Sequence, residues 1–416
     1  MLKNYFLIAC KVYARRKMFT AINLLCIVLT LVVLLSVTAI LQNTFYPTGV
    51  EGKSERFLQA NRIVQTHKTA EGYNKWTGGL GFKVIDQYMR KMKSVELVAA
   101  VTEPSSVAIY QQDRVVNVKM RRSDSEYWRI LDFKVLLGRL YNADDVQQGR
   151  FLAVVNASTA KKLFGELNVL GKKINAGGQQ FEVIGVVEDV LHLNAYSDLW
   201  VPLTTFPTSG YKDQTMGGFS ALLLAKSAAD LPLIKDEMLQ VTALINKENQ
   251  SNSTGKTFIW VDTKLDFFAR LLLGDDEKAD SGATSLVTAI VALMLVFMAL
   301  PALNLINLNS GRIMERATEI GVRKAFGANN RQLVGQFIFE NILLCMVGGV
   351  IGLICAQLIL VWLGQSGVIP YLQVELNASI LFFGFLITVV FGILSGVTPA
   401  WKMSRLDPVF ALKGGV

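Results

Sequence analysis

The chain has 416 residues, 51% of them hydrophobic and 18% charged, with a mean hydropathy of +0.37; this composition excludes a water-soluble single domain. Its formal net charge of +9 would suit a polynucleotide, but the charge is not arranged as a binding patch. Residues 1–18, 309–332 and 402–416 hold thirteen Lys and Arg against three acids, and 42–285 are close to neutral, so no nucleic acid is expected as a partner.

Residues 1–18 begin with apolar Tyr5, Phe6, Ile8, Ala9, Val12 and Tyr13, followed by Arg15-Arg16-Lys17. This predicts an amphipathic helix in the inner interface, its apolar side in lipid and its cations on phosphates. Four uncharged runs follow, at 19–41, 286–308, 342–363 and 380–401, each long enough to cross a ~30 Å hydrocarbon core. A signal peptide is the rival reading of the first run. That run is too long for an h-region and lacks an A-x-A site, so an uncleaved span is expected; a twin-arginine signal is weaker still. The basic segments mark the cytoplasmic side. The expected layout is an interfacial helix at 1–18, spans at 19–41, 285–308, 333–363 and 379–401, and cytoplasmic segments at 309–332 and 402–416. The large domain at 42–284 and the short connection at 364–378 then face outward.

Within 42–284, strands are predicted at 62–66, 151–155, 181–187, 222–225 and 258–261, with a hairpin of 107–110 and 115–120 about Asp113-Arg114. Helices are predicted at 82–92, 157–164 and 231–245, and a polar loop at 246–256. Interspersed strands and helices give an α+β fold with a strand-rich middle. All four cysteines lie in or beside the spans, so this domain must stand on an ordinary core without disulfides.

Nothing in the pattern supports a catalytic or metal site. His67 and His192 are the only histidines, 125 residues apart, with no cysteine or carboxylate at ligand spacing. Gly255-Lys256-Thr257 resembles the end of a phosphate loop, but Gln250 stands where a glycine is required; 165–173 fails on spacing. No ATPase activity is expected of this chain.

The segment 312–331 carries Arg312, Arg316, Arg323, Lys324 and Arg331 against Glu315 and Glu319. Glu319 precedes Arg323 by four residues, the favourable order on one helix face, and Gly327 supplies a left-handed stop. Two readings stand: charge that only fixes topology, or a docking element that receives force from a soluble partner. Further on, Gly348, Gly352 and Ala356 repeat at four-residue spacing, as do Gly384, Thr388, Gly392 and Gly396. Such stripes let helices approach closely in lipid, within one subunit or between two. Glu340 at the edge of the third span is read as a solvated or paired acid.

Arg316-Ala317-Thr318-Glu319-Ile320-Gly321-Val322-Arg323-Lys324-Ala325-Phe326-Gly327-Ala328 resembles the R-x-x-E-I-G-V-R-K-A-L-G-A signature of MacB-like/FtsX-type ABC transporter permeases, and Gln336 to Glu340 continues it. Pro399-Ala400-Trp401, Ser404-Arg405-Leu406-Asp407-Pro408 and Ala411-Leu412-Lys413 are similar to the family's C-terminal motif. Gly138-Arg139, Asp144-Asp145, Leu163-Phe164-Gly165, Gly171-Lys172 and Phe181-Glu182-Val183-Ile184-Gly185-Val186 resemble its periplasmic core. The resemblance implies a four-span α-helical domain with a large α+β extracytoplasmic domain, a porter-like lobe holding an inserted strand-rich lobe. A stalk would be formed partly by 265–273. It also implies dimerisation with a second copy or a sister permease in the inner membrane. A cytoplasmic ABC ATPase dimer, carrying the ATP and Mg, would dock on Arg316, Glu319, Ile320, Gly321, Arg323, Lys324, Phe326 and Gly327. Work would be done outside by mechanotransmission, for efflux with a periplasmic adaptor and outer-membrane channel. The alternatives are FtsX-like control of a cell-wall hydrolase and release of lipoproteins. Phe326 replaces a frequent Leu, and Cys26 and Thr30 stand where many relatives have glycine.

Overall fold

The computed structural model describes residues 2–15, 17–46, 48–69, 72–111, 114–249, 255–274, 276–315, 321–323, 326, 329–366 and 378–404. The chain forms two compact units, Met1–Gln42 with Val287–Val416, and Asn43–Leu286. The first is helical and the second is built on β-sheet.

The helical unit starts with α1 (Leu2–Arg15) and α2 (Lys17–Phe45). The sheet unit then supplies α3 (Phe82–Gln87), α4 (Glu126–Ile130), α5 (Ala143–Gln147), α6 (Ala157–Phe164), α7 (Leu231–Asn249) and α8 (Lys264–Leu273). Back in the helical unit are α9 (Ala283–Glu315), α10 (Asn330–Ser366) and α11 (Ala378–Ser404). The stretches Thr20–Phe45 of α2 and Arg331–Ser366 of α10 are long and apolar enough to cross a membrane. Among the described residues, α9 and α11 carry the shorter apolar stretches Ala283–Ala299 and Ile380–Val390.

The strands of the sheet unit are β1 (Phe57–Ala60), β2 (Ile63–Thr69), β3 (Gly72–Leu80), β4 (Val95–Thr102), β5 (Ser105–Gln111), β6 (Arg114–Ser123), β7 (Val135–Gly138), β8 (Leu152–Asn156), β9 (Lys173–Ala176), β10 (Gln179–Val187), β11 (Leu199–Pro202), β12 (Met216–Gly217), β13 (Phe219–Ala225) and β14 (Lys256–Ile259). β5 to β11 close on themselves. Neighbours run β11, β8, β10, β9, β5, β6, and β6 pairs back to β11 in parallel. Closure pairs each of these six strands on both sides, and β7 adds to β10 outside the ring. The remaining strands form the other lobe, with β13 antiparallel between β1 and β4.

All seven residues of β13 are buried, because its two faces serve two cores. Phe219, Ala221, Leu223 and Ala225 join Val84 and Ile85 of α3 and Ile234, Met238 and Ile245 of α7. Leu222 and Leu224 face the second core, with Trp128, Tyr141 and Trp200. The period of two along a strand does this automatically.

The predicted helix 82–92 is divided: α3 ends at Gln87 and a 3-10 turn follows at Met89–Lys91, which keeps Met89 and Met92 in the core. The predicted loop 246–256 is shorter than expected. α7 runs to Asn249, since the Asn246 amide joins it to β14: Nδ2 donates to the Thr257 carbonyl at 2.8 Å and Oδ1 accepts from Thr257 N at 2.6 Å. β3, with its Gly-rich sequence, has no alternation to betray it, yet it pairs with β2 along seven residues.

Candidate coupling site

Of the residues expected to dock a partner, Gly321, Arg323 and Phe326 lie among the described ones; Arg316, Glu319, Ile320, Lys324 and Gly327 lie outside them. Gly321 is buried. Phe326 is 90% exposed, and Val322 beside it 43%. An aromatic side chain left almost wholly free on a short helical turn contributes nothing to the core around it. It is available to something else.

Arg323 connects this turn to α10. Its Nη1 donates to Gln336 Oε1 at 3.2 Å, and Gln336 Nε2 donates to Glu340 Oε1 at 3.1 Å. Glu340 is 1% exposed. A buried carboxyl group needs hydrogen-bond partners in place of water. Tyr13 of α1 donates its hydroxyl to the Glu340 carbonyl, and the Tyr5 ring lies 6.1 Å from Phe339. So α1 spends Tyr5, Ala9 and Tyr13 on the bundle rather than offering its whole apolar set to lipid. Phe6 and Leu7 remain exposed.

The small residues sit where helices cross. A Cβ at Gly348 would fall 2.7 Å from Ile27, and at Gly352 3.1 Å from Leu31, both on α2. Ala356 is fully buried. On α11, Gly384 faces Leu35, and Thr388 faces Gly349 of α10, 2.8 Å from the Cβ that glycine would bear. Gly392 lies against the Ile342 backbone at 3.0 Å, and Gly396 against Asn341 at 2.9 Å. All of these contacts are within one chain.

In the sheet unit the motif residues serve the backbone. Gly138 and Gly185 are register partners in β7 and β10. A Cβ at Gly138 (φ 71°) would meet the Ile184 carbonyl at 2.1 Å, and at Gly185 the Arg139 carbonyl at 2.2 Å. Gly165 ends α6 in the left-handed region. Lys172 lies over the Phe164 ring and pairs with Glu166 at 2.6 Å. The histidines are apart: His67 packs on Trp76, and His192 Nε2 lies 3.2 Å from Thr48 Oγ1.

Asp145 is fully buried. It closes a capping box with Asn142 at the start of α5 and accepts from Arg139 Nη1 at 2.5 Å and Arg150 Nη1 at 2.7 Å. The Arg139 hydrogen bond, first of all, holds its carboxyl down at about 2. That is below an unfolded aspartate at about 3.9, so the ionised form favours folding. The contribution, about 1–2 kcal/mol with the half-exposed arginines allowed for, is complete above pH ~4 and lost as the pH falls towards 2. Asp145→Asn should therefore lower the melting temperature of the sheet unit at pH 7 by a few degrees. It should also flatten the loss between pH 4 and 2; an unaltered acid limb in the variant's melts would refute the assignment.

Residues 20–272 match the MacB-like periplasmic core domain, and 291–408 the FtsX-like permease C-terminal domain. The chain belongs to the MacB/FtsX family of ABC transporter permeases. The macrolide export ATP-binding/permease protein MacB of Shewanella sp. (strain W3-18-1) is 26% identical over 77% of this chain and 47% of its own length. The uncharacterized ABC transporter permease YknZ of Bacillus subtilis is 24% identical over 78% of this chain and 77% of its own. The chain thus spans about half the length of the MacB relatives. Among solved structures, a domain of a putative permease from Porphyromonas gingivalis aligns with a TM-score of 0.42 at 14% identity, over 51% of this chain and 90% of that one. The periplasmic region of MacB from Actinobacillus actinomycetemcomitans gives 0.36 at 18%, over 52% and 94%. This MacB/FtsX permease is a membrane protein in which an α+β domain interrupts the helical part.

Proposed function

We propose that the chain is the permease subunit of an ABC transporter that crosses the membrane four times, through α2, α9, α10 and α11. Both termini and 309–332 are cytoplasmic, and the sheet unit is outside. A separate ATPase dimer supplies ATP, Mg and hydrolysis, and this chain, paired with a second copy or a sister permease, carries the motion outward to drive efflux or extrusion. One observation carries the reading: Phe326, exposed beside Val322, stands on a turn joined through Arg323 and Gln336 to the buried Glu340. An exposed apolar side chain that docks in a partner's pocket can dominate an interface. The amide between Arg323 and Glu340 would pass displacement of that turn into α10.

The test uses Phe326 rather than Gly321, because a bulky residue at buried Gly321 would disturb this chain whether or not anything docks. Phe326→Asp leaves every basic residue in place. The expected result is normal insertion and an unchanged melting curve, with recovery of the ATPase on the purified permease reduced by about tenfold or more, the effect of losing one anchoring side chain. Wild-type recovery of the ATPase with full activity would leave 312–331 as a topology signal only.

A further inference from the structure

The ten-residue helix α8 holds both ends of the sheet unit. Its first residue, Lys264, is 6% exposed, forms an ion pair with Glu51 and donates to the carbonyl of Thr44 at 3.3 Å. Thr44 is in the last turn of α2. Glu51 Oε1 also accepts from Asn194 N at 2.8 Å, so the same pair reaches the closed-strand lobe, and Phe45 packs edge-on against Phe268 of α8 at 5.4 Å. At the other end Arg270 is 4% exposed. Its Nε and Nη2 donate to Asp262 at 3.0 and 3.3 Å. Nη1 donates to the Lys278 carbonyl at 2.7 Å and Nη2 to the Ala279 carbonyl at 3.3 Å. Between them Asp266 caps α8 through Thr263, accepts from Ser281 Oγ at 2.6 Å and pairs with Lys235 of α7 at 2.9 Å. Residues 278–281 lead directly into α9.

Two buried cations within a helix of three turns are not explained by stability. A buried pair is often matched or bettered by apolar residues of the same volume, because desolvation offsets its attraction. What such a pair does fix is geometry, since a buried charge moved off its partner is penalised heavily. Both cations here donate to backbone carbonyls, which tie the course of the chain rather than one side chain. The carbonyls lie inside the sheet unit close to its two ends, one in the last turn of α2 and the others on the approach to α9.

We propose that α8 is a crossbar: Lys264 and Arg270 are positioning residues that bind the arriving and departing connections to both lobes. Displacement of either connection then moves the sheet unit rather than bending a loop. The proposal rests on the reading of this chain as a transmitter of ATP-driven motion.

The test uses paired neutral variants, so that no buried charge is left alone: Lys264→Met with Glu51→Gln, and Arg270→Met with Asp262→Asn. The full chain, without Cys10, Cys26, Cys345 and Cys355, is spin-labelled at exposed Tyr46 and Asp280 and reconstituted in lipid discs with the ATPase that co-purifies with it. The expected result without nucleotide is a 46–280 distance distribution about twofold broader in either paired variant than in the parent. With ATP, hydrolysis continues, while the ATP-driven shift between a second label pair, one in each lobe, falls by about tenfold. A merely structural pair would lower the melting temperature and leave both distances as in the parent; that outcome overturns the proposal. If a paired variant does not fold, Lys264→Arg and Arg270→Lys, which keep the charge and change the donor geometry, replace it: broadening of the same distances supports the crossbar, and parental distances overturn it. Should the parent itself show no ATP-driven shift, the functional reading fails, and the crossbar is judged on the nucleotide-free width alone.

Discussion

Gly185→Val is expected to unfold the sheet unit at temperatures where the parent is fully folded. A Cβ at this position would lie 2.2 Å from the Arg139 carbonyl oxygen and 3.1 Å from its carbon, and these are backbone atoms that no rotamer change can clear. The strand has little room to retreat, because β10 is held by β7 on one edge and β8 on the other. Overpacking of this kind commonly costs 1–3 kcal/mol; with backbone against backbone on a central strand we expect about 3–5 kcal/mol. That is about a fifth or more of the stability of an ordinary domain. Thermal melts of the full-length variant should show the sheet-unit transition lowered by about 10 °C or more, and a fall of only a degree or two would contradict this expectation. The serine variant should be harmed almost as much, since it is the Cβ that collides.

Trp200→Ala is the second large effect. Trp200 is wholly buried between Trp128, at a ring distance of 5.9 Å, and Phe133, at 5.3 Å. It belongs to the core in which α4 and the closed strands meet Leu222 and Leu224 of β13. Removing the indole forfeits its transfer energy and leaves a cavity lined by rings too rigid to collapse, so a loss of about 3–5 kcal/mol follows. Trp200→Phe should recover more than half of it. Denaturant midpoints of the two variants measure the difference, and near-equal losses would mean that the cavity relaxes.

How much of this is legible in the sequence depends on whether a property is local. The long apolar helices and the α+β character of the large domain follow from hydropathy and period, and α6 begins at Ala157 and ends at Phe164 as expected because Asn156 and Gly165 cap it. The expected strand at 222–225 covers only half of β13. Ser220 interrupts the apolar run, yet it is buried with its hydroxyl on Glu103. The Gly138–Gly185 pairing is hidden because residues 47 apart in sequence announce nothing about register. For Glu340 the sequence allows either solvent or a partner. Its environment comes from Gln336 one turn away and from Tyr13 far back in the chain, and only the second of these is invisible to spacing. α8 is readable as a stalk-like helix of the family, but its grip on both connections depends on Thr44, Glu51 and the 278–279 carbonyls, which no helical period relates.

The double-faced strand β13 also dictates the order in which this unit can be made. β1 and β4 flank β13, but they are synthesised more than a hundred residues before it. The strands β5 to β11 are contiguous in the chain and close upon each other, so their lobe can assemble during that wait, with loops far shorter than the one β13 must close. Until Ala225 has emerged, the apolar faces of β1 and β4 have no central strand between them. The newborn unit therefore passes through a stage with one finished lobe and two open strand edges, the stage at which it is most exposed to aggregation and to proteolysis.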